Sequence, residues 1–337
     1  MSTPSVFDIN QTSLPRDRVQ ATNDEYLSLF DKSPDARRAQ YMKMVNDYYN
    51  LVTDFYEFGW GQSFHFAPRF RGESFAASLA RHEHYLALKL GLRPGMTVID
   101  IGCGIGGPMR AIARFSGASV VGINNNAYQI ERGRKQNIAT NLAHLCSFQQ
   151  ADFMKLPFAE GSVDAAYAIE ATCHAPDKTA LFREILRTLK PGAQFAGYEW
   201  CLTDLYDGNN PMHRQLKLGV ETGDALPELP HYSEVPRALA AAGFEVIETA
   251  DLALTSDPET PWYEPLSGQL SLTGIKHTPA GRWLTGQAVR VLERVKIAPK
   301  GAYDVSKMLQ DAAVALVGAG QTGIFTPAYY FRARKPG

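Results

Sequence analysis

The sequence predicts an α/β fold: a seven-stranded, mainly parallel sheet with an N-terminal helical cap before it and a C-terminal helical insertion or lid near its end. Three observations lead there. From Met96 onward, apolar runs of strand length alternate with segments of helical periodicity, the pattern of βαβ units and a parallel sheet. A glycine-rich turn, V-I-D-I-G-C-G-I-G-G-P from Val98 to Pro108, closes the first of those runs. The last strand-like run, Tyr329 to Arg334, comes long after its neighbour, with helical patterns at 280–296 and 304–318 in between, so a helical layer interrupts the sheet.

In chain order, strands are expected at 96–102, 119–124, 146–152, 163–171, 193–201, 244–250 and 328–334, and helices at 108–115, 127–140, 177–189 and 233–242. Four regions follow. Residues 1–40 are polar and carry Pro4, Pro15 and Pro34, which suggests a loosely ordered arm. Residues 41–95 form the helical cap, 96–255 the core, and 256–337 the region with the lid and the last strand. In the cap, nine of the 23 residues from Tyr48 to Phe70 are aromatic, against 11% for the whole chain. Its centre, Y-E-F-G-W-G-Q-S-F-H-F, places Gly59 and Gly61 among the rings, and glycines there break a helix and turn the rings around a bend. That favours a binding wall over plain core.

Composition narrows the class. A chain of 337 residues that is 45% hydrophobic and 20% charged buries a sizeable core. Its formal net charge of -1 supplies no basic field, so nucleic acid is not an expected partner. Cys103, Cys146, Cys173 and Cys201 show neither C-x-x-C spacing nor a companion histidine cluster. They read as free thiols in a reducing compartment, with no metal site. The N-terminus lacks a basic stretch followed by an apolar one, and no apolar run reaches the length of a bilayer span. The expected place is the cytoplasmic face, soluble or in peripheral membrane contact, and a homo-oligomer is expected.

The glycine turn carries chemistry. A strand ending in Asp100 and followed by Gly102, Gly104 and Gly106-Gly107 lets the backbone turn sharply and approach a ligand at the carboxyl edge of the sheet. G-x-G alone is weak. An acid two residues before the first glycine suits a cofactor bearing an ammonium group and would repel a pyrophosphate, which points to S-adenosylmethionine and a class I methyltransferase (Rossmann-like) core. The second strand ends in asparagines where an acidic residue commonly accepts both ribose hydroxyls, so Asn124 or Asn125 must substitute, with Gln129 one helical turn on. Asp152 and Phe153 close the third strand, where a carboxylate can accept from the adenine amino group and a ring can cover the purine face. Ser63 and Ile169 complete the expected cofactor set.

Glu170 and His174 lie at the end of the fourth strand, in Y-A-I-E-A-T-C-H-A-P-D. A buried carboxylate is costly unless paired or at work. Here the sequence resembles the sterol C-24 methyltransferases of plants and fungi. The likeness is carried by Y-E-F-G-W-G-Q-S-F-H-F (56–66), R-H-E-H-Y-L-A (81–87), D-I-G-C-G-I-G-G-P (100–108), G-I-N-N-N-x-Y-Q-I (122–130) and A-D-F-M-K-L-P-F (151–158). It continues through I-E-A-T-C-H-A-P (169–176), Y-E-W-C-L-T-D (198–204), P-W-Y-E-P-L (261–266) and I-F-T-P-A-Y-Y-F (324–331).

The resemblance implies methyl transfer from S-adenosylmethionine, leaving S-adenosylhomocysteine, to C24 of a Δ24-sterol side chain. A cation forms at C25, a hydride shifts from C24 to C25, and a base removes a proton. An alkene has no acidic proton, so alignment comes first, and the cation wants ring faces and carboxylates rather than water. Tyr56, Phe58, Trp60, Phe64 and Phe66 are of that type. The candidate bases are Glu57, His82, Glu83, Glu170, His174 and Glu221. Glu170 ranks first by its strand-end position and His82 second for its place in R-H-E-H, whereas His84 reads as structural. Tyr198 and Glu199 alternate faces, so one of them looks into the pocket. Two departures from the family stand out: Ala127 replaces an aspartate, and E-T-G-D-A around Glu221 replaces E-L-G-D-G. The alternatives are another prenyl or triterpene alkene as acceptor, or a non-catalytic lipid-binding homologue.

Overall fold

The computed structural model describes residues 14–267 and 279–337, so Pro4 and the first part of the expected arm lie outside the described residues. Contacts divide the chain into two units, neither continuous in sequence. The sheet unit holds β1 (Thr97–Ile101), β2 (Ser119–Asn124), β3 (Cys146–Gln150), β4 (Val163–Ile169), β5 (Leu189–Leu202), β6 (Glu245–Asp251) and β7 (Phe325–Arg334). Its helices are α4 (Phe75–Lys89), α5 (Gly107–Ser116), α6 (Ala127–Ala139), α7 (Lys178–Thr188) and α9 (Glu234–Ala242). The helical unit holds α1 (Val19–Leu27), α2 (Pro34–Ala39), α3 (Tyr41–Gly59), α8 (Pro211–Gly223), α10 (Glu264–Ser267), α11 (Pro279–Arg294) and α12 (Ala302–Thr322).

The strand order is β3-β2-β1-β4-β5-β7-β6, with β1 to β5 parallel and β7 antiparallel to both of its neighbours. All seven expected strands form, close to their expected limits. The central strands β1, β4 and β7 are buried on both faces, which is why they read as nearly continuous apolar runs, whereas the edge strands β3 and β6 are largely exposed. On one face Leu181, Phe182 and Ile185 of α7 and Val235 and Leu239 of α9 pack against Ile99, Phe195 and Phe331. On the other, Leu86 of α4 and Met109, Ile112 and Ala113 of α5 pack against Val98, Val120, Tyr167 and Tyr198. Helix α7 begins where the Asp177 side chain accepts the Ala180 N–H at 2.9 Å.

In the helical unit two readings change. Residues 19–27 and 34–39 are helical rather than loose, because Val19, Tyr26 and Leu29 join Met44, Tyr48, Leu51, Val305 and Met308 in one buried cluster. Apolar partners nearly three hundred positions away give α1 what its prolines and polar residues concealed. Helix α3 also runs through Gly59, so the break comes at Gly61, whose φ is +111°. A further helix, α8, lies flat on α12 through small residues: a Cβ on Gly219 would stand 2.7 Å from the Ala315 Cβ, and one on Gly223 2.2 Å from the Ala312 Cβ.

Just past α8, Ala225 holds φ +53° at the position where the related E-L-G-D-G pattern has glycine. A left-handed alanine is strained by roughly 1–2 kcal/mol, partly offset by the larger unfolded-state entropy of glycine. Ala225→Gly is therefore expected to stabilise the protein by about 1 kcal/mol, read as a rise in urea midpoint with unchanged slope. An unchanged or lower midpoint would contradict the strain. Among the described residues no helix is long and apolar enough to cross a membrane.

Candidate active site

The cleft of such a sheet opens where strand order reverses, here between β1 and β4. Both strand ends turn through left-handed backbone, Gly102 at φ +75° and Glu170 at φ +52°. They do so in contact: a Cβ on Gly102 would meet the Ala171 Cβ at 2.5 Å, so only glycine fits beside the turn after β4. Gly104 and Gly106 continue the left-handed path into the N-terminus of α5. The free backbone N–H groups of that helix end suit an anion or a polar ligand edge.

Asp100 sits at this edge, buried, its Oδ2 accepting the Tyr167 hydroxyl at 3.0 Å. Burial pushes its carboxyl up to about 7, against the opposing pull of the Tyr167 hydrogen bond, with the charge of Glu83 adding to the rise. A buried carboxylate held so high lacks a cation, and the ammonium group of S-adenosylmethionine is one. The donor set therefore fits that cofactor.

The segment after the aromatic bend lies over the glycine loop. A Cβ on Gly107 would stand 2.0 Å from the Gln62 carbonyl oxygen and 2.6 Å from the Ser63 hydroxyl, so residue 107 too must be glycine for this approach. Arg110 ties the two together, donating to Gln62 Oε1 at 2.7 Å and to the Ile105 carbonyl at 2.8 Å. Ser63 donates to Glu83 Oε1 at 2.7 Å, and His65 Nε2 meets the same oxygen at 3.0 Å while its Nδ1 bonds the Phe66 carbonyl at 2.7 Å. Burial pulls the His65 imidazole down, but the hydrogen bond and charge of Glu83 outweigh it and leave its pKa raised. Glu83 is thus occupied in holding the bend.

Glu170 is occupied as well. Its carboxylate accepts the Phe66 N–H at 2.8 Å and the Trp200 indole N–H at 2.7 Å. Around it Phe66 packs edge-on to Trp262 at 4.9 Å between ring centroids, and Trp200 and Trp262 meet Phe325 at 5.3 and 5.6 Å. This aromatic box is assembled from four distant stretches of chain. His82 is buried, its ring stacked on Tyr198 at 3.6 Å and its Nε2 without a hydrogen bond. Burial holds it well below the usual histidine range, so it is a neutral imidazole. His84 stacks on Phe115 at 4.2 Å, and His174 is buried in the turn after β4. Tyr198 donates to the His82 carbonyl, whereas Glu199 is fully buried and paired with Lys178 at 3.0 Å.

At the end of β2 the Asn124 amide is engaged within the protein. It donates to the Gly104 carbonyl at 3.0 Å and to Gln129 Oε1 at 2.8 Å, and its oxygen accepts the Asn126 N–H. Asn125 is half-buried beside it. Asp152 Oδ1 accepts the Met154 N–H at 2.8 Å, and Phe153 and Ile169 line the neighbouring strand ends, Phe153 half-buried and Ile169 buried.

In the helical unit, Tyr56 lies in the last turn of α3 and hydrogen-bonds to Tyr48 and to Asp224, and Trp60 caps the helix through its N–H to the Tyr56 carbonyl at 2.7 Å. Glu57 is buried and Phe58 exposed. Glu221 is buried between two cations, Arg37 at 3.3 Å and Lys217. Asp224, Trp200, Gln62 and Arg110 were not singled out by sequence. Asp224 and Trp200 stood inside quoted motifs with nothing local to mark them.

Two family models match the chain: one described as Sterol methyltransferase C-terminal over residues 272–337, and one described as Methyltransferase domain over residues 99–197. The chain is 51% identical to a cycloartenol-C-24-methyltransferase of Arabidopsis thaliana, covering 93% of each. It is 47% identical to a sterol 24-C-methyltransferase of Saccharomyces cerevisiae, covering 91% of this chain and 82% of the other. Among solved structures, a cyclopropane synthase from Mycobacterium tuberculosis matches with TM-score 0.62 at 17% identity, covering 97% of this chain and 100% of the other. Geranyl diphosphate C-methyltransferase from Streptomyces coelicolor matches with TM-score 0.61 at 17% identity, covering 88% and 98%. Those two show the fold, that of class I S-adenosylmethionine-dependent methyltransferases.

Proposed function

The chain belongs to the sterol 24-C-methyltransferase family, and from that premise we propose that it methylates C24 of a sterol whose side chain carries a C24–C25 double bond. The observation that carries the reading is that about half of all positions agree with such enzymes over nearly the whole of both chains. When bound, S-adenosylmethionine supplies an electrophilic methyl group.

Asp100 takes the cofactor ammonium, the backbone at Gly102 and Gly104 its carboxylate edge, and Ser63, fixed by Glu83, closes from the bend. Since Asn124 and Gln129 are bonded to one another, their task is to shape the loop, which leaves Asn125 to receive the ribose hydroxyls. Asp152 meets the adenine amino group, between Phe153 and Ile169. The acceptor alkene needs alignment and a dry, electron-rich surround for the C25 cation. The Phe66–Trp200–Trp262 box supplies ring faces, and Glu170 adds negative charge while pinning that box. Neutral His82 brings no opposing positive charge. Glu221, neutralised by Arg37 and Lys217, fixes α8. Contact with the membrane that holds the sterol is peripheral.

Incubating the purified chain with methyl-labelled cofactor and either a Δ24-sterol or squalene tests the reading. Label is expected in the sterol; label in squalene alone establishes the triterpene alternative instead.

A further inference from the structure

We infer that the exposed side of α11, with the basic groove at its C-terminal end, rests on the surface of an anionic phospholipid membrane. The inference deepens the peripheral contact proposed above by naming its surface, and it holds whichever alkene is methylated. Every residue in it belongs to the helical unit.

Helix α11 carries two faces. Leu284, Ala288, Val291 and Val295 recur at i, i+4, i+7 and i+11, the spacing of one stripe along a helix, with Leu292 beside it. That stripe is open to solvent: Leu284 is 59% exposed, Val291 54% and Val295 57%. Ile297, just past the helix, is 53% exposed. Gly286 and Glu293 lie on the opposite side. A Cβ on Gly286 would stand 3.4 Å from the Gln310 amide nitrogen of α12, and the Glu293 carboxylate accepts the N–H groups of Gly301 at 3.1 Å and Tyr303 at 3.0 Å. Helix α11 is thus held to α12 by its glycine and acidic side, with its apolar side turned outward. A helix of a water-soluble unit ordinarily does the reverse, and apolar residues grouped on one exposed strip mark a surface that meets something apolar.

Charge says what that is. From Pro279 to Lys300 five lysines and arginines stand against one acidic residue, in a chain whose net charge is -1. The end of α11, the turn after it and residues 16–17 enclose a groove of about 580 Å³. Arg290, Arg294, Lys296 and Lys300 line it, together with Arg16, which donates to the carbonyls of Lys296 at 2.8 Å and Ile297 at 2.6 Å and so fixes the turn. Of the acids there, Glu293 is engaged by the two N–H groups, Asp304 accepts from the Gln20 amide at 3.1 Å, and Asp17 is exposed. A cationic groove bordering an apolar strip matches the boundary between headgroups and acyl chains: the valines and leucines enter the acyl edge while the guanidinium and ammonium groups meet lipid phosphates. A second copy of this chain seated symmetrically on the same face would instead set these cations against one another.

The test is co-sedimentation of the purified full chain with vesicles of phosphatidylcholine alone and of phosphatidylcholine mixed with phosphatidylserine. The wild type is expected to bind the mixed vesicles more tightly and to be released by salt. Arg294→Gln, Lys296→Gln and Lys300→Gln together are expected to weaken binding to the mixed vesicles by roughly 100-fold. Val291→Ser with Val295→Ser is expected to weaken it by roughly tenfold. All five positions are exposed, so Tm is expected to hold. Arg114→Gln, Lys135→Gln and Lys190→Gln, which remove as many exposed cations from the sheet unit, are expected to leave binding unchanged. The assignment is overturned by an equal loss in that last variant, or by a wild type that binds neither vesicle. It is overturned also by a dimer in sedimentation velocity that Val291→Ser with Val295→Ser dissolves, which would make a second copy the occupant. Each of these leaves sterol methylation standing, and a chain that binds the mixed vesicles but methylates no sterol leaves this surface standing.

Discussion

Asp100→Ala is expected to weaken S-adenosylmethionine binding by roughly 10- to 100-fold, the range of a hydrogen bond to a charged group at about 1.5–3 kcal/mol. Calorimetric titration of the variant checks it, and unchanged affinity would remove Asp100 from the cofactor site. The wild type should show a pH dependence with a definite sign. Its Asp100 carboxyl, lifted to about 7 by burial, is neutral below that pH and cannot pair with an ammonium. Affinity should therefore fall as pH drops below about 7, by up to tenfold per pH unit, and level off above it. The same shift touches stability. The folded-state value exceeds the ordinary 3.8, so the folded chain binds the extra proton between those limits. Its contribution to stability is fully present below about 4 and lost as pH rises through about 7, until the cofactor cation restores it.

Glu170→Gln should produce the second large effect, by a different route. The carboxylate satisfies two N–H donors, from Phe66 and Trp200. Glutamine has one acceptor oxygen and would turn its NH2 against the other donor, leaving a buried group unsatisfied at a cost of about 1–3 kcal/mol. The expected result is a Tm lower by several degrees and turnover reduced at least tenfold. Reduced turnover with unchanged Tm would instead make Glu170 the base. The strained backbone at Glu170, with φ +52°, agrees with a residue fixed by its surroundings at a working site.

What the sequence disclosed follows the range over which each force acts. Strand and helix limits were legible because burial on both sheet faces writes itself into adjacent residues; Asp177, expected as the first residue of a helix, is its cap. The Asp100 turn was legible because glycine spacing is local. The helices α1 and α2 were not, since their stability comes from Tyr26 and Arg37 reaching partners near residue 222. Asn124 is a ribose candidate by position, and the bonds of its amide nitrogen to Gly104 and Gln129 depend on neighbouring polar groups that position does not show. Asp224 stood inside a quoted motif, and its burial among tyrosines from other helices is not written in that motif.

The placement of β7 between β5 and β6 bears on how the chain is made. On a ribosome, β6 emerges with nothing beside it, and the apolar edge of β5, with Phe195 and Tyr198, stays open while residues 252–324 are synthesised. Only when Phe325–Arg334 appears do both gain a partner. During that interval the nascent sheet offers an unpaired edge, the kind of surface that chaperones cover and that otherwise joins to a second chain.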